Sequence, residues 1–147
     1  MILRYIFPAS ILSDPNMVRL GQAKNGSDKL NIEEIQARLA EFAKERDWEQ
    51  FHSVKNLSMA LTVEAGELME HFQWLTEKQS NNLSAEKLRE VELELADILI
   101  YLLRVATKLD VDLFEVANQK MQINEKKYPA ELVRGSAKKY TEYEKER

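Results

Sequence analysis

Cysteine is absent from this chain, and glycine, proline and histidine are scarce: there are four Gly, three Pro and two His. The absence of cysteine excludes disulfide bonds, thiolate metal sites and a cysteine nucleophile. Two histidines leave little scope for a catalytic triad, and the chain contains neither a Gly-x-Ser-x-Gly elbow nor a phosphate-binding P-loop. We therefore expect no covalent mechanism. The low Gly and Pro content also argues against an all-β or disordered chain.

The chain also lacks an excess of positive charge and a long apolar run. Its formal net charge is −4, which offers no electrostatic footprint for a nucleic acid. No apolar run approaches the roughly 20 residues that a membrane span needs. The apolar start, from Met1 to Pro8, has little basic charge and no clear small-residue cleavage site, unlike a signal peptide. We expect a cytoplasmic protein that binds neither a nucleic acid polymer nor a membrane.

What the chain does have is helical periodicity over most of its 147 residues, of which 44% are apolar and 31% charged. Asn31 followed by Glu34 is typical of a capping box at the start of a helix. Three further helices are predicted over about 53–75, over about 84–108, and from about Asp110 to Lys127, before Pro129.

Four helices with short connections predict an all-α fold, an antiparallel four-helix bundle. We expect this bundle to span residues 31–129. Residues 1–30 show no clean period and predict an irregular or poorly ordered N-terminal arm, and residues 130–147 form a polar C-terminal tail.

Two carboxylate pairs lie inside segments that otherwise resemble buried helices. Glu64 and Glu67 are spaced i, i+3, as are Glu94 and Asp97, so each pair shares one helix face. Acidic residues are rarely buried unless something pairs them. The alternative is that each carboxylate lies on a solvated face. Two such pairs on neighbouring helices favour a bound cation, and Gly66 beside Glu67 suggests a close backbone approach.

Carboxylate oxygens without thiolates favour Mg²⁺, with Mn²⁺ as a substitute. A di-iron bundle would require two Glu-x-x-His motifs, and only Glu49 to His52 fits, in a connection rather than inside a helix. An acidic Mg²⁺ cluster can hold phosphate oxygens and activate water for attack at phosphorus. We therefore predict that Glu64, Glu67, Glu94 and Asp97 are both metal ligands and catalytic residues.

Aromatic and basic residues near these pairs fit a nucleotide. Flat faces for a base are supplied by Trp48, Phe51, His52, Trp74 and Tyr101. The alternative is ordinary core or interface packing, which is equally plausible for Phe51, whereas Trp74 is the strongest functional candidate. Trp74 and Tyr101 extend the carboxylate stripes in the predicted helices. Candidate cations for the phosphates, each of which could instead be a solvated surface charge, are Lys55, Arg104, Lys120, Arg134, Lys138 and Lys139.

These motifs together resemble the all-α nucleoside triphosphate pyrophosphohydrolases, the MazG-like superfamily, over residues of about 32 to 141. The branch that cleaves dCTP is the most similar. The similarity rests on the two carboxylate pairs and on the stretches 45–52, 55–57, 72–74, 95–101, 128–129 and 134–140.

The resemblance implies Mg²⁺-dependent hydrolysis of dCTP or a modified dCTP to the monophosphate and pyrophosphate, by water attack at the α-phosphorus, in nucleotide-pool sanitation. It also implies a homodimer or homotetramer. Leu39 stands where animal members of this branch have His, which bears on pyrimidine selectivity. The implied substrate-binding residues are Trp48, Glu49, Gln50, Phe51, His52, Trp74, Tyr101, Lys120, Asn124 and Tyr128.

A second hypothesis from another functional class is a non-catalytic helical module that binds nucleotides or partner helices. Its carboxylates would then be an ordinary acidic surface, and its apolar stripes would serve association.

Overall fold

A computed structural model describes residues 31–136 of the chain. The predicted N-terminal arm, and residues 137–147 of the predicted tail, lie outside this range. Within it the fold is all-α, which confirms the predicted fold class: every regular element is helical. The helices are α1 (Ile32–Glu45), α2 (Val54–Glu70), α3 (Glu77–Ser80), α4 (Ala85–Leu109), α5 (Leu113–Lys127) and α6 (Ala130–Val133), with a 3₁₀ turn at Glu49–Phe51.

The start of α1 follows the capping box in the sequence. The Asn31 side chain accepts a hydrogen bond from the Glu34 backbone N–H at 2.8 Å, and the Glu34 carboxylate accepts one from the Asn31 N–H at 3.1 Å. Two backbone donors that the helix itself cannot satisfy are thereby paired.

Helices α2 and α4 pack against each other in antiparallel directions. His71, just after α2, faces Glu90 early in α4, whereas His52, just before α2, contacts Arg104 late in α4. Between these ends the core forms from Leu57, Ala60 and Tyr101, with Leu61 and Val105 partly buried against them. Helix α1 also packs on α4, where the Gln36 side-chain amide donates to the Thr107 hydroxyl at 3.0 Å.

Helix α2 ends at Glu70, earlier than the predicted end near Leu75. The chain then turns, because Thr76 is the N-cap of α3 and has an extended backbone conformation. The Thr76 side chain and the Gln79 backbone N–H form one half of a second capping box, and the Gln79 side chain completes it. This cap requires the backbone to leave the helical conformation before Thr76, which the apolar periodicity did not reveal.

Among the described residues, those from Asp110 to Ser136 belong to a second compact unit. Asp112 caps α5, since its carboxylate accepts from the backbone N–H groups of Phe114 and Glu115. This agrees with the predicted cap at Asp110 or a nearby residue. Pro129 follows α5, as predicted, and precedes the short α6. None of the helices in the described part of the chain has the length and apolar character needed to cross a membrane.

Candidate functional site

Three of the four carboxylates expected to bind a metal come together where α2 crosses α4. Glu64 comes from α2, and Glu94 and Asp97 come from α4. One oxygen from each lies within 4.8 Å of the others. All three side chains are half-buried, so water screens their mutual repulsion only in part. The arrangement concentrates negative charge on one side of the helix pair.

This crowding changes the protonation of the cluster. Burial, followed by the charges of Asp97, Glu67 and Glu94, raises the pKa of Glu64 to about 7. Burial and the neighbouring carboxylates also raise the pKa of Asp97. Both shifts mean that the charged forms are disfavoured without a counter-charge. The donors are all carboxylate oxygens, which fit a hard divalent cation such as Mg²⁺ or Mn²⁺.

Glu67, the fourth predicted ligand, is exposed and lies outside the group of three. Its charge still raises the pKa of Glu64 and of Asp97, so it lies beside the cluster. The interpretation of Gly66 was wrong for the described residues, because a Cβ placed on Gly66 would meet nothing within 4 Å there. Helix α2 therefore does not need this glycine for a close backbone approach inside the described part of the chain.

Tyr101 lies one turn beyond Asp97 on α4 and is only 2% exposed. Its ring belongs to the core formed with Leu57 and Ala60. Burial, followed by the charges of Glu64 and Asp97, raises the pKa of the phenol, so the hydroxyl stays protonated. Tyr101 is therefore a buried core residue next to the carboxylates, and in the described residues it does not present an exposed face.

Trp74 does not continue the carboxylate stripe, because α2 ends before it. It lies in the turn between α2 and α3 and is 87% exposed. His71, at the end of α2, is the residue that does approach the cluster: its Nε2 is 3.8 Å from Glu94 Oε1, and its Nδ1 is 3.7 Å from Glu90 Oε2. His71 was visible in the sequence stripe, but spacing alone assigned it no role.

The segment 48–52 contains the 3₁₀ turn that precedes α2. Trp48 packs edge-on against Phe42, with ring centroids 5.8 Å apart, and lies 6.4 Å from the His52 ring. Phe51 is 42% exposed, whereas His52 is fully buried. Gln50 is exposed, and its amide donates to the Asp47 carboxylate at 2.7 Å. The five predicted pocket residues are therefore contiguous, but they occupy different depths.

Arg104 was a candidate for binding phosphates, but the structure gives it another environment. It is buried, and its Nη2 donates to Glu49 Oε1 at 2.5 Å and to His52 Nδ1 at 3.1 Å. Lys108 Nζ donates to the other Glu49 oxygen. The bond from Lys108, with a smaller contribution from Arg104, holds the pKa of Glu49 below its usual value. Sequence spacing could not reveal this contact, since its partners lie on distant elements.

The remaining predicted residues belong to the second unit. Lys120 and Asn124 are exposed on α5, and the Tyr128 backbone N–H donates to the Asn124 carbonyl at 2.8 Å. Lys127 Nζ lies 5.5 Å from the centre of the Tyr128 ring. Their role in binding phosphates stays a prediction. Lys55, by contrast, belongs to the first unit and is exposed at the start of α2.

Known proteins resemble this chain over most of its length. The MazG-like family matches residues 59–143, which include all four carboxylates. Human dCTP pyrophosphatase 1 (Homo sapiens) is 46% identical over 118 residues, which cover 79% of this chain and 69% of that protein. The Mus musculus protein of the same name is 45% identical over the same shares.

A solved structure agrees with these relatives. The crystal structure of a pyrophosphatase from Archaeoglobus fulgidus has a TM-score of 0.65 and 36% sequence identity, and the match covers 72% of this chain and 99% of that one. The family match spans more than half of the chain, and the relatives share nearly half of the aligned residues. As its motifs predicted, the chain belongs to the MazG-like family, in the branch of the dCTP pyrophosphatases.

Proposed function

We propose that this protein is a cytoplasmic nucleoside triphosphate pyrophosphohydrolase that converts dCTP or a modified dCTP to the monophosphate and pyrophosphate, with Mg²⁺. The observation that carries the proposal is the convergence of Glu64, Glu94 and Asp97 within 4.8 Å, inside the region that matches the family. Relatives named as dCTP pyrophosphatases support the enzyme class and the substrate. The biological role that fits this reaction is sanitation of the nucleotide pool.

The three clustered carboxylates would hold the metal, with exposed Glu67 as the fourth ligand. When bound there, Mg²⁺ would supply the positive charge that neutralises phosphate oxygens in the transition state, and Mn²⁺ could replace it. The raised pKa values of Glu64 and Asp97 support this assignment, because a cation would remove the cost of ionising both groups.

The reaction requires one bond to form and one to break. A water oxygen attacks the α-phosphorus, and the bond from that phosphorus to the oxygen bridging the α- and β-phosphates breaks. Pyrophosphate leaves with the bridging oxygen, and the monophosphate keeps the oxygen from water. A carboxylate of the quartet accepts the proton that the water loses. Positioning and electrostatic stabilisation supply most of the catalysis in phosphoryl chemistry of this kind.

The base would be held by the aromatic side chains that remain accessible. Phe51 offers an exposed face in the segment 48–52, where Trp48 is half-buried, and Trp74 offers another beyond the opposite end of α2. Stacking on an aromatic face is worth about 1–3 kcal/mol per base. Leu39, half-buried on α1, lacks the hydrogen-bonding groups of the His found in animal members, so selectivity among pyrimidines is the property most open to change here.

An exposed apolar stripe supports a homodimer or homotetramer. Leu95, Leu99 and Leu102 lie at i, i+4 and i+7 on α4 and are 51%, 42% and 37% exposed. Leucines in this pattern form one continuous face of a helix, and such a face is best covered by a second copy of the chain.

The direct test is to incubate purified protein with dCTP and Mg²⁺ and to measure dCMP and pyrophosphate. We expect stoichiometric release of both, dependence on the divalent cation, and no free phosphate. A panel of 5-substituted dCTP analogues, dUTP and the ribonucleotides would then rank the bases and sugars. Failure to turn over any nucleoside triphosphate with Mg²⁺ or Mn²⁺ would refute the proposal.

The non-catalytic alternative makes a different prediction in the same samples. A binding module would be stabilised by a nucleotide in thermal melts and would leave that nucleotide intact. The similarity to relatives named as pyrophosphatases over 79% of the chain favours the enzyme.

A further inference from the structure

One buried charge in the first unit has no place in the reaction described above. Arg104 is 2% exposed, and buried arginines are rare unless their charge is paired. Its Nη2 bonds both Glu49 and His52, and Lys108 bonds the second Glu49 oxygen. Removing one partner of such a group leaves an uncompensated charge, which makes the arrangement costly to disturb.

The position of Arg104 on α4 relates this group to the carboxylate cluster. Asp97, Tyr101, Arg104 and Lys108 follow one another at spacings of four, three and four, so they lie on one helix face. Arg104 is roughly 10 Å along the helix axis from Asp97, at 1.5 Å per residue. The same face of α4 therefore carries carboxylates of the proposed metal site and, further along, Arg104 and Lys108. We call the contacts of Arg104 and Lys108 with Glu49 and His52 the clamp.

The contact with His52 also fixes the state of that ring. A guanidinium can only donate hydrogen bonds, so His52 Nδ1, 3.1 Å from Arg104 Nη2, must be the acceptor. The ring is then neutral with its proton on Nε2. The Trp48 and His52 ring centroids are 6.4 Å apart, with the planes tilted by 60°. Arg104 therefore holds a ring that neighbours the Trp48 indole.

We propose that Arg104 is a positioning residue that holds the segment 48–52, through Glu49 and His52, at a fixed place relative to the carboxylate cluster. This inference rests on the proposed function, in which that segment contacts the base while the cluster holds the phosphates. Arg104 itself contacts neither. Loss of the clamp would leave the carboxylate cluster intact and would free the segment 48–52 to move relative to it.

Steady-state kinetics with dCTP separates positioning from a merely structural role. Arg104→Lys keeps the positive charge, but a single ammonium cannot reproduce the guanidinium fork. We expect KM to rise about tenfold, kcat to stay within about threefold, and the Mg²⁺ concentration for half-maximal activity to be unchanged. A structural role would instead lower the active fraction, and hence the apparent kcat, with KM unchanged, and that result would overturn the proposal.

Two further variants control this experiment. Arg89→Lys changes an exposed arginine on the same helix, whose Nη1 bonds Glu92 at 2.9 Å, and should leave KM and kcat as they are. Glu49→Gln acts on the more exposed side of the clamp and keeps the assay decisive if Arg104→Lys fails to fold. If Arg104 acts through Glu49, the double variant raises KM no more than the larger single change. Additive effects would overturn the proposal.

A spectroscopic reading is independent of turnover. The chain has two histidines, so ¹⁵N NMR of the imidazoles, assigned with His71→Gln, reports the His52 tautomer directly. We expect an unprotonated Nδ1 in the unmodified protein and a loss of this single tautomer in Arg104→Lys. A protonated Nδ1 in the unmodified protein would overturn the clamp. If the expected tautomer is present but no nucleoside triphosphate is turned over with Mg²⁺ or Mn²⁺, the proposed function is refuted, and with it the role of Arg104 in substrate binding.

Discussion

Glu64 and Asp97 face each other across the contact between α2 and α4, with carboxylate oxygens within 4.8 Å of each other. The pKa values of both carboxyl groups are raised. Burial is the largest cause in each case, and the charges of neighbouring carboxylates add to it. Ionising the cluster therefore lowers the stability of the fold unless a cation is bound, and the proposed divalent cation would remove this cost.

The metal-free protein should lose stability as the pH rises. The pKa of Glu64 is raised from 4.5 to about 7 in the folded state, so the folded state binds the proton more tightly than the unfolded chain. Its contribution is present below about pH 4.5 and is lost as the pH approaches 7. Asp97 has the same sign. Glu49, whose pKa is lowered, acts oppositely and loses its contribution only in acid.

Thermal melts in EDTA between pH 5 and pH 8 test this dependence. We expect a lower Tm at pH 8, and a larger increase in Tm on adding Mg²⁺ at pH 8 than at pH 5, because the ligands must be ionised to bind. Glu64→Gln should flatten the decline. An unchanged Tm across this range in the unmodified protein would contradict the prediction.

Glu64→Gln should stabilise the metal-free protein and abolish its response to Mg²⁺. The amide keeps the shape of the side chain, removes one charge from the cluster and is a weaker ligand for a hard cation. Differential scanning fluorimetry with and without Mg²⁺ measures both effects. The matched control is Glu92→Gln on α4, an exposed carboxylate paired with Arg89, which should retain the full response.

Glu67→Gln should abolish turnover of dCTP and leave the protein folded. Glu67 is exposed, so its replacement costs little packing, while its charge acts on Glu64 and Asp97. We expect kcat to fall by at least about a hundredfold with an unchanged far-UV spectrum, because the change removes the proposed fourth ligand of the metal. Retained activity would place the metal site elsewhere.

Gly66→Ala should stabilise the monomeric unit by about 0.5–1 kcal/mol, because glycine in a helix interior is less favourable than alanine by this amount. A Cβ at Gly66 meets nothing within 4 Å in the described residues, so no clash offsets the gain. Urea denaturation of both proteins gives the difference. Destabilisation would show that another backbone packs on this face of α2 in the assembled protein.

The parts of the fold that local rules govern were predictable. Asn31 and Glu34 placed the start of α1, and Pro129 marked the end of α5, because caps and prolines act on neighbouring backbone groups. The predicted end of α2, near Leu75, was wrong, although the residues of the capping box, Thr76 and Gln79, were present in the sequence. Apolar spacing continued past Glu70 and outweighed that local signal.

The site shows the same division between local and long-range effects. The i, i+3 spacing correctly put Glu94 and Asp97 on one face of α4, since that relation lies within one helix. The depth of each side chain was not predictable, because burial depends on what packs from elsewhere. Arg104 illustrates this limit: its partner Glu49 is remote in sequence, and only the packing of α4 brings the two together.

Because α4 is uninterrupted, the interval from Asp97 to Arg104 depends on its number of residues as well as on which residues it contains. Each residue added or removed between Asp97 and Arg104 would rotate everything beyond it by about 100° around the helix axis, and would turn the guanidinium away from Glu49. The polar turn at 81–84 has no such constraint. Homologues should therefore vary in length ahead of α4 and keep the Asp97–Arg104 interval free of insertions and deletions.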